Sequence, residues 1–308
     1  MQKILVVGSS NIDLVIHTKK LPKPGETVIG NKFLKNPGGK GANQAVAAAR
    51  LGGQVAFITK VGNDDFGKEL TALYQKEGID CQGVLMNNSS STGVALINVD
   101  KQGENSITVA SGANKHLSVE DIMNLSSLID ESDIILMQLE VPIETVEYII
   151  DYAGNSGKKI ILNPAPAHQI SDKALPKLFA ITPNETEIEY LTGIRVQSEE
   201  SAAQGAATMI KKGVENVIIT LGAKGAYFMN ENEHLLIPAP KVKAIDTTAA
   251  GDIFNGAFVV ALANGKSIKE SVEYACQVSS LSVTRLGAQN SAPYQHEIEN
   301  IIGKEHSK

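Results

Sequence analysis

Short apolar runs that are rich in β-branched residues alternate with helical patterns along most of this chain. The runs are continuous and cover residues 4–7, 55–61, 134–139, 160–162 and 217–221. Continuous runs of this kind are typical of strands that are buried on both faces of a parallel sheet. Their alternation with helical patterns predicts a layered α/β fold, in which helices flank a mostly parallel sheet.

The stretches between these runs carry the periodicity of amphipathic helices. Apolar residues recur at steps of three and four after Pro142. Further helices are predicted over 41–51, 65–76, 118–129 and 201–212. A hairpin is predicted over 226–236, where the sequence Asn-Glu-Asn supplies the turn.

Two other stretches alternate apolar and polar residues. They cover 12–34 and 93–109, and the second contains the turn sequence DKQGEN. This alternation predicts a small antiparallel sheet with one wet face, the second stretch forming a hairpin. We expect both stretches to form one lid, inserted at approximately 12–36 and 91–110 into a single α/β domain that spans 1–308.

The composition excludes several classes of protein. The chain has 308 residues, of which 43% are hydrophobic and 20% charged, and its formal net charge is −6. A negative net charge does not favour binding to nucleic acid or to an anionic membrane surface. No apolar stretch approaches the ~18 residues of a membrane span, and the amino terminus lacks a signal-peptide pattern. Cys81 and Cys276 show no CxxC spacing, so we expect two free thiols in the reducing cytoplasm.

The sequence DTTAAGDIFNGAF at 246–258 is the strongest indication of chemistry. The small residues Ala249, Ala250 and Gly251 precede an apolar helical pattern, so the first backbone N–H groups of that helix stay open to a bulky anion. Asp252, in the first turn, could accept a proton from a substrate hydroxyl beside a bound phosphate. The alternative is that Asp252 only complements the helix dipole.

A second glycine-rich helix start is NPGGKGANQ at 36–44. It is not a P-loop, because that motif needs wider glycine spacing and a hydroxyl residue after the lysine. Asn11, Asp13 and Asn43 lie at the ends of predicted elements in this region and around 8–13. Amides and carboxylates placed in this way fit a polyol ligand, although a glycine-rich helix start can also be purely structural.

Two loops follow predicted buried strands, at TPNETE (182–187) and at TLGAKG (220–225). The carboxyl ends of such strands are where α/β proteins bind ligands. Asn184 and Glu187 are three positions apart and share a helix face. The same pair would equally form an N-terminal capping box, and this alternative stays open.

Other catalytic patterns are missing from the sequence. The six histidines show neither HxH nor HExxH spacing, so we expect no structural zinc site. There is no GxSxG and no Cys–His signature. The sequence GSSNID at 8–13 does not match GxGxxG, which argues against a dinucleotide oxidoreductase.

Six segments, in this order and spacing, resemble those of one family across nearly the whole chain. They are GGKGANQA at 38–45, NPAPA at 163–167, TPNETE at 182–187, TLGAKG at 220–225, DTTAAGDIFNGAF at 246–258 and TRLGAQNSAP at 284–293. On these segments the chain resembles the ribokinase (phosphofructokinase-B-type) carbohydrate kinase family. The pair Asn11-x-Asp13, together with GANQA and GAQxS, is most similar to the members that act on ribose.

The resemblance implies roles for individual residues. Asp252 would be the base, and the amides of 249–252 would form the anion hole. The residues implied to contact the sugar are Asn11, Asp13, Gly39, Lys40, Gly41, Asn43, Glu140 and Asp252. Those implied at the nucleotide are Asn184, Glu187, Thr220, Gly222, Gly225, Gly251 and Cys276, with Glu187 helping to place Mg²⁺. Those implied around a monovalent cation, usually K⁺, are Asp246, Thr248, Ser282, Arg285, Gly287 and Ser291. Cys276 departs from the family pattern, since relatives carry Asn or His there near the adenine.

The same resemblance implies a Rossmann-like sheet with a β-lid, and a homodimer that forms through the lid sheets. The implied reaction transfers the γ-phosphoryl group of ATP to the 5-hydroxyl of D-ribose, giving ribose 5-phosphate. A deoxyribose, fructose or nucleoside kinase of the same family remains an alternative. A sugar-binding protein without catalysis is a further one, against which the intact Gly251 and Asp252 argue.

Overall fold

The strands of this chain form two sheets of different size. The structure, a computed structural model, describes residues 1–299. The strands are β1 Lys3–Val7, β2 Asn11–His17, β3 Lys32–Gly38, β4 Gln54–Gly62, β5 Val84–Asn87, β6 Gly93–Val99, β7 Asn105–Ala110, β8 Ile134–Met137, β9 Lys159–Leu162, β10 Ala180–Ile181, β11 Asn216–Thr220, β12 Ala226–Met229 and β13 His234–Ile237. The nine-stranded main sheet has the order β13-β12-β11-β10-β9-β8-β1-β4-β5. Its strands pair in parallel from β5 to β11, and only the β11–β12–β13 edge is antiparallel.

Helices cover both faces of the main sheet. They are α1 Lys40–Arg50, α2 Asp65–Lys76, α3 Val119–Asn124, α4 Ser126–Glu131, α5 Ile143–Ala153, α6 Glu185–Thr192, α7 Glu199–Lys211, α8 Ala250–Ala263 and α9 Ile268–Ser282. Within β1, Ile4 and Val6 pack into one buried cluster, while Leu5 and Val7 pack into another on the opposite face. Burial on both faces is what the continuous apolar runs predict.

The small sheet, which we term the lid, has the strand order β3-β2-β6-β7. Both hairpin pairs are antiparallel, but the central pair β2–β6 is parallel, since both strands leave the main body in the same direction. The predicted fold class, a mostly parallel sheet with flanking helices and a small second sheet, is confirmed. The predicted hairpin at 226–236 is also confirmed, as β12 and β13.

The single helix predicted over 118–129 is wrong, because the structure has two short helices there. Ser118 caps α3, and the backbone leaves the helical region at Leu125, where φ is −109° and ψ is 15°. Ile122 of α3 and Ile129 of α4 are both buried. The local apolar spacing suits one helix and two helices equally, so only packing decides between them.

The carboxyl ends of β1, β8, β9, β10 and β11 lie along one edge of the main sheet, because these strands are parallel. Helices α1 and α8 pack against each other beside this edge. Such an edge is where open α/β sheets bind ligands. Within residues 1–299, no helix combines the length and apolar character needed to cross a bilayer.

Candidate active site

The N-terminus of α8 is open to a ligand. Ala249 has a φ of 59°, the only positive φ of a non-glycine residue within 1–299, and this conformation costs roughly 1 kcal/mol or more. No side chain caps the helix, whose first residue is Ala250. A Cβ built on Gly251 would meet no atom within 4 Å. The geometry leaves room for an anion against the first backbone N–H groups.

Asp252 lies in the first turn of α8 and is 6% exposed. Its Oδ2 accepts a hydrogen bond from Asn43 Nδ2 at 2.9 Å, and its Oδ1 accepts one from Gln44 Nε2 at 3.0 Å. Burial raises the pKa of Asp252, while the charge of Lys40 and these two hydrogen bonds oppose the rise. A carboxylate whose pKa is raised toward neutral is a better general base than an exposed one.

Further carboxylates lie near Asp252 on the side of the lid. Burial and the charges of Glu140 and Asp252 raise the pKa of Asp13, in β2, to about 6. Glu140 accepts hydrogen bonds from the Ser9 hydroxyl and from the backbone N–H of Lys40. Asn11, Ser9 and Glu140 line a cavity of about 550 Å³ at this end of the site. The predicted sugar residues are therefore brought together, although they come from four separate elements.

Two groups on this side suggest a polar ligand. The Oδ1 of Asn43 is buried and has no hydrogen-bond partner in the structure. Burial acts to lower the pKa of Lys40, but the charges of Asp252, Glu140 and Glu187 more than offset this and raise it, so Lys40 is a cation at neutral pH. A ligand hydroxyl would satisfy the Asn43 oxygen, and Lys40 would attract an anion.

Gly39 and Gly41 permit the close approach that builds this corner. Gly39 has a φ of 89°, and a Cβ on it would lie 2.9 Å from backbone atoms of Ser10 and Asn11. A Cβ on Gly41 would lie 2.6 Å from the backbone of Gly8 and Ser9. The structure thus gives both glycines a packing role, and the sugar contacts implied for them stay predictions.

A groove of about 580 Å³ adjoins the opposite side of the α8 N-terminus. The predicted nucleotide residues that line it are Asn184, Thr220, Gly222, Gly225, Gly251 and Cys276. Cys276 is 3% exposed, and burial raises the pKa of its thiol to about 12, so it presents a neutral apolar atom. The part of the groove at Cys276 therefore fits a neutral group better than a charged one.

The capping-box alternative for Asn184 and Glu187 is confirmed. Asn184 Oδ1 accepts from the N–H groups of Thr186 and Glu187, and the Glu187 carboxylate accepts from Asn184 N at 2.8 Å and Nδ2 at 2.9 Å. Glu187 is 8% exposed, and burial raises its pKa. Capping fixes the Glu187 carboxylate near the groove, so the structural role and a part in Mg²⁺ placement are compatible.

The two loops predicted to share a cation lie side by side. Asp246 Oδ2 accepts from Gly287 N–H at 2.8 Å, and its Oδ1 accepts from the N–H and hydroxyl of Thr248. The carbonyl oxygens of Arg285 and Gly287 accept no hydrogen bond from residues 1–299. Free carbonyls beside a carboxylate are the oxygen ligands that K⁺ takes. Residues 1–299 hold no group of three or more His, Cys, Asp or Glu side chains that could bind a metal ion.

The sequence interpretation missed several polar residues beneath the site. Gln44 and Asn163 lie inside the quoted motifs GGKGANQA and NPAPA, but neither was assigned a role. Gln138 and Asn163 each directly follow a buried strand, which is the signal that could have identified them. Asn114 was also missed: its Nδ2 donates to Asn11 Oδ1 at 2.8 Å and so fixes the orientation of that amide.

Known proteins are similar to this chain over nearly its whole length. The family model for the pfkB family of carbohydrate kinases matches residues 1–295. The chain is 47% identical to the ribokinase of Haemophilus influenzae, over 96% of this chain and 97% of that one. It is 39% identical to the deoxyribokinase of Salmonella typhi, over 94% of this chain and 95% of that one. The structure of the Arabidopsis thaliana ribokinase complexed with ribose and ATP superimposes with a TM-score of 0.90 at 32% identity, covering 98% of each chain.

Proposed function

The chain belongs to the pfkB family of carbohydrate kinases, and on this premise we propose that it transfers the γ-phosphoryl group of ATP to the 5-hydroxyl of D-ribose. The observation that carries the proposal is the position of Asp252: its hydrogen-bond partner Asn43 belongs to the polar groups on the lid side, and its neighbour Gly251 lines the groove. The charge of Asp252 acts on Asp13 on the lid side and on Glu187 on the groove side. A base at this junction, beside an open helix N-terminus, suits transfer of a phosphoryl group from one cavity to the other.

The chain's own groups account for binding and proton transfer. Asn11, Asp13, Asn43 and Glu140 bind and orient the sugar, and Asp252 accepts the proton of the attacking hydroxyl. The N–H groups at the start of α8 and the Lys40 cation stabilise the charge of the transferred group. Positioning of both substrates supplies much of the rate, since phosphoryl transfer needs little covalent chemistry from the protein.

Mg²⁺ would be placed by Glu187, and it neutralises phosphate charge when bound with ATP. The fit is supported by the buried carboxylate of Glu187, which faces Lys40 and Asp252. ATP itself would lie in the groove with its adenine toward Cys276, and its phosphates toward Gly251.

A panel of acceptors tests the substrate. ATP consumption is measured with ribose, 2-deoxyribose, fructose and adenosine, and the phosphorylated carbon is located by NMR. We expect the highest kcat/KM with ribose and a phosphate on C5. A higher value with 2-deoxyribose would support the function of the Salmonella typhi relative and overturn the choice of ribose. No turnover of any of these acceptors would overturn the kinase proposal itself.

We further propose that K⁺ binds between the loop 246–248 and the loop 285–291. Ligands would be the carboxylate of Asp246, carbonyl oxygens of Thr248, Ser282, Arg285 and Gly287, and Ser291. The support is the contact of Asp246 with Gly287 and the two carbonyls without partners. Thr248 leads directly into the α8 start, so an ion here would fix the backbone of the anion-binding turn.

The K⁺ proposal is tested at matched ionic strength and saturating Mg²⁺. We expect turnover in K⁺ to be several-fold higher than in Na⁺ or in a bulky organic cation. The advantage should disappear in Asp246→Ala. Equal rates in all three salts would contradict the proposal.

We also propose that the protein forms a homodimer through the lid. Ile16, Phe33 and Leu96 are exposed by 41%, 60% and 52%, and the strand register places them on the lid face opposite to Asp13. A second copy would cover these apolar side chains. Phe33→Glu should give a monomer in sedimentation velocity, whereas Met123→Glu, an exposed methionine on α3, should leave the dimer intact. A monomeric native protein at micromolar concentration would overturn this proposal.

We assign the reaction to the cytoplasm. Both cysteines are free, as expected in the reducing compartment that supplies ATP. We further propose that residues 1–299 form a single α/β domain with the lid inserted at about 12–36 and 91–110, since the two sheets share the site. The predicted domain runs to residue 308, and its part at 300–308 lies outside the described residues.

A further inference from the structure

A continuous chain of buried polar side chains lies beneath the active site. Gln138 Nε2 donates to Gln44 Oε1 at 2.6 Å, and Gln44 Nε2 donates to Asn163 Oδ1 at 3.0 Å. Asn163 Nδ2 then donates to the Thr182 carbonyl at 3.1 Å. Gln44 and Gln138 are fully buried, and Asn163 is 6% exposed. Buried polar groups are costly without partners, and of these three amides only Gln138 has an atom, Oε1, that lacks a partner among residues 1–299.

This series of hydrogen bonds continues into helix α8. The Thr182 hydroxyl donates to Asn255 Oδ1 at 2.6 Å, and Asn255 Nδ2 donates to the Gly251 carbonyl at 2.8 Å. We call Gln138, Gln44, Asn163, Thr182 and Asn255 the polar relay. It connects the ends of three parallel strands to the turn that carries the anion-binding N–H groups.

Gln44 is the branch point of the polar relay. Its Nε2 group donates both to Asn163 and to Asp252 Oδ1, while its Oε1 accepts from Gln138. Both Nε2 hydrogens and the oxygen are therefore engaged, and the amide has one orientation. Asn43 holds the second oxygen of Asp252, so the plane of that carboxylate is fixed from two sides.

Gln138 is itself held by the main sheet. It follows β8, and a Cβ built on Gly8, at the end of β1, would lie 1.9 Å from Gln138 Oε1. Only glycine at position 8 leaves space for this amide. Gly8 therefore leaves room for the Gln138 amide, whose Oε1 has no hydrogen-bond partner among residues 1–299 and whose Nε2 donates to Gln44.

We propose that Gln44 is a positioning residue for the reaction: oriented by Gln138 and Asn163, its amide aims the Asp252 carboxylate at the acceptor hydroxyl. This inference rests on the proposed function, in which Asp252 is the base. The charged groups that act on Asp252 are Lys40, Asp13, Glu140 and Glu187, of which Lys40 is a cation and the other three are carboxyl groups.

The substitution Gln44→Met tests the proposal, because it keeps the length of the side chain and removes every hydrogen bond. We expect kcat to fall by about tenfold to a hundredfold, the size of effect that a small misplacement of a reacting group produces. The affinities for ribose and ATP should stay near the native values, since Gln44 lines neither cavity. The acidic limb of the kcat profile should move to higher pH, because a hydrogen bond to the charged form of Asp252 is lost.

Asn216→Leu is the matched control. Asn216 is a buried amide at the other end of the sheet, and its side chain donates to the Phe179 carbonyl. This variant should lose stability without any change in the pH profile. If both variants lower kcat alike and neither moves the pH limb, Gln44 is merely structural and the proposal is overturned.

A second measurement separates this inference from the proposed function. The carboxyl carbon of Asp252 is followed by ¹³C NMR in the ligand-free protein, with Asp252→Asn for assignment. The pKa of Asp252 should be higher in Gln44→Met than in the native protein, and an unchanged value would overturn the inference whatever the enzyme phosphorylates. If Gln44→Met does not fold, the pKa of Asp252 is measured in Gln138→Met instead. We expect a smaller rise of this pKa in Gln138→Met, and an unchanged pKa would overturn the proposal. Absence of sugar phosphorylation by the native protein would instead contradict the proposed function alone.

Discussion

The two sides of the active site differ in how they are built. On the lid side, Asp13, Asn43 and Glu140 come from separate elements and form a partly buried cluster of polar and charged groups around Asp252. On the groove side, the lining consists mainly of backbone, small residues and apolar atoms such as those of Phe254 and Val283. Buried polar groups lose 1–3 kcal/mol when a partner is missing, whereas an apolar lining tolerates small changes of shape. The lid side should therefore carry the selectivity, and the groove should accept substitution.

Asp252→Asn should have the largest effect, because it removes the proton acceptor where the two sides meet. We expect turnover to fall by about 10²–10⁴-fold while folding and ribose binding are retained. Thermal unfolding measures whether folding is retained, calorimetry measures ribose binding, and a coupled kinase assay measures turnover. A variant that keeps more than about a tenth of the native turnover would refute the role of Asp252 as the base.

Asp13→Ala should weaken ribose binding by about tenfold to a hundredfold, because it leaves a sugar hydroxyl without its acceptor. ATP affinity should not change, since Asp13 is on the lid side only. Isothermal calorimetry measures both ligands, and Glu104→Ala, an exposed carboxylate on the same lid, is the control. Equal losses for ribose and ATP would break the comparison between the two sides.

Ribose affinity should also depend on pH through Asp13. Its pKa is raised to about 6, so the carboxylate is mostly ionised at pH 7 and mostly protonated at pH 5. If the ionised form binds the sugar hydroxyls, affinity falls by about tenfold between these two values. Asp13→Asn should abolish this dependence. If ribose affinity depends on pH in the same way in the native protein and in Asp13→Asn, Asp13 does not bind ribose as a carboxylate.

The raised pKa of Asp13 also has a consequence for stability. Between about pH 4 and 6 the folded protein binds more protons than the unfolded chain, so the free energy of unfolding decreases as pH rises through this window. The loss of stability caused by burying the charged form of Asp13 is complete at a pH well above 6, where Asp13 is charged in both the folded and the unfolded state. Ligand-free Asp13→Asn should therefore unfold at a higher temperature than the native protein at pH 7, with the difference shrinking toward pH 4. Equal unfolding temperatures at pH 7 would contradict this expectation.

Cys276→Ala should have the smallest effect, because it changes a neutral apolar side chain in the groove. We expect the KM for ATP to change by no more than a few-fold, which corresponds to less than about 1 kcal/mol. Steady-state kinetics at saturating ribose measure it. A change as large as that of Asp13→Ala on ribose would mean that the groove is as selective as the lid side.

Local patterns predicted much of this molecule. The continuous runs predicted β1, β4, β8, β9 and β11 of the main sheet but not β5 or the two-residue strand β10, and the alternating stretches predicted the strands of the lid. The capping box of Asn184 and Glu187 was one of two alternatives that the sequence left open, and it could be foreseen because both partners lie within one helical turn. The three small residues Ala249, Ala250 and Gly251 were enough to predict the open N-terminus of α8. Each of these features depends on neighbours in sequence, so the pattern contains the whole cause.

Other features were decided by the tertiary structure. The break at Leu125 divides a continuous apolar pattern, and buried residues, Ile122 and Ile129, lie on both sides of it. The parallel pair β2–β6 likewise depends on how both strands leave the main sheet. Hydrophobic periodicity gives the buried face of a segment but not the direction of its partner.

The sequence alone therefore determined the class of fold, the helix starts and the residue types available for catalysis. The tertiary structure decided which of them meet. Gln44 and Asp252 are 208 positions apart, and Gln44 and Gln138 are 94 apart, yet all three share one buried network. Their contact requires the strand order that places β1 beside β8 and the packing of α1 against α8. No local pattern carries that order, because it results from the burial of every strand and helix of the domain at once.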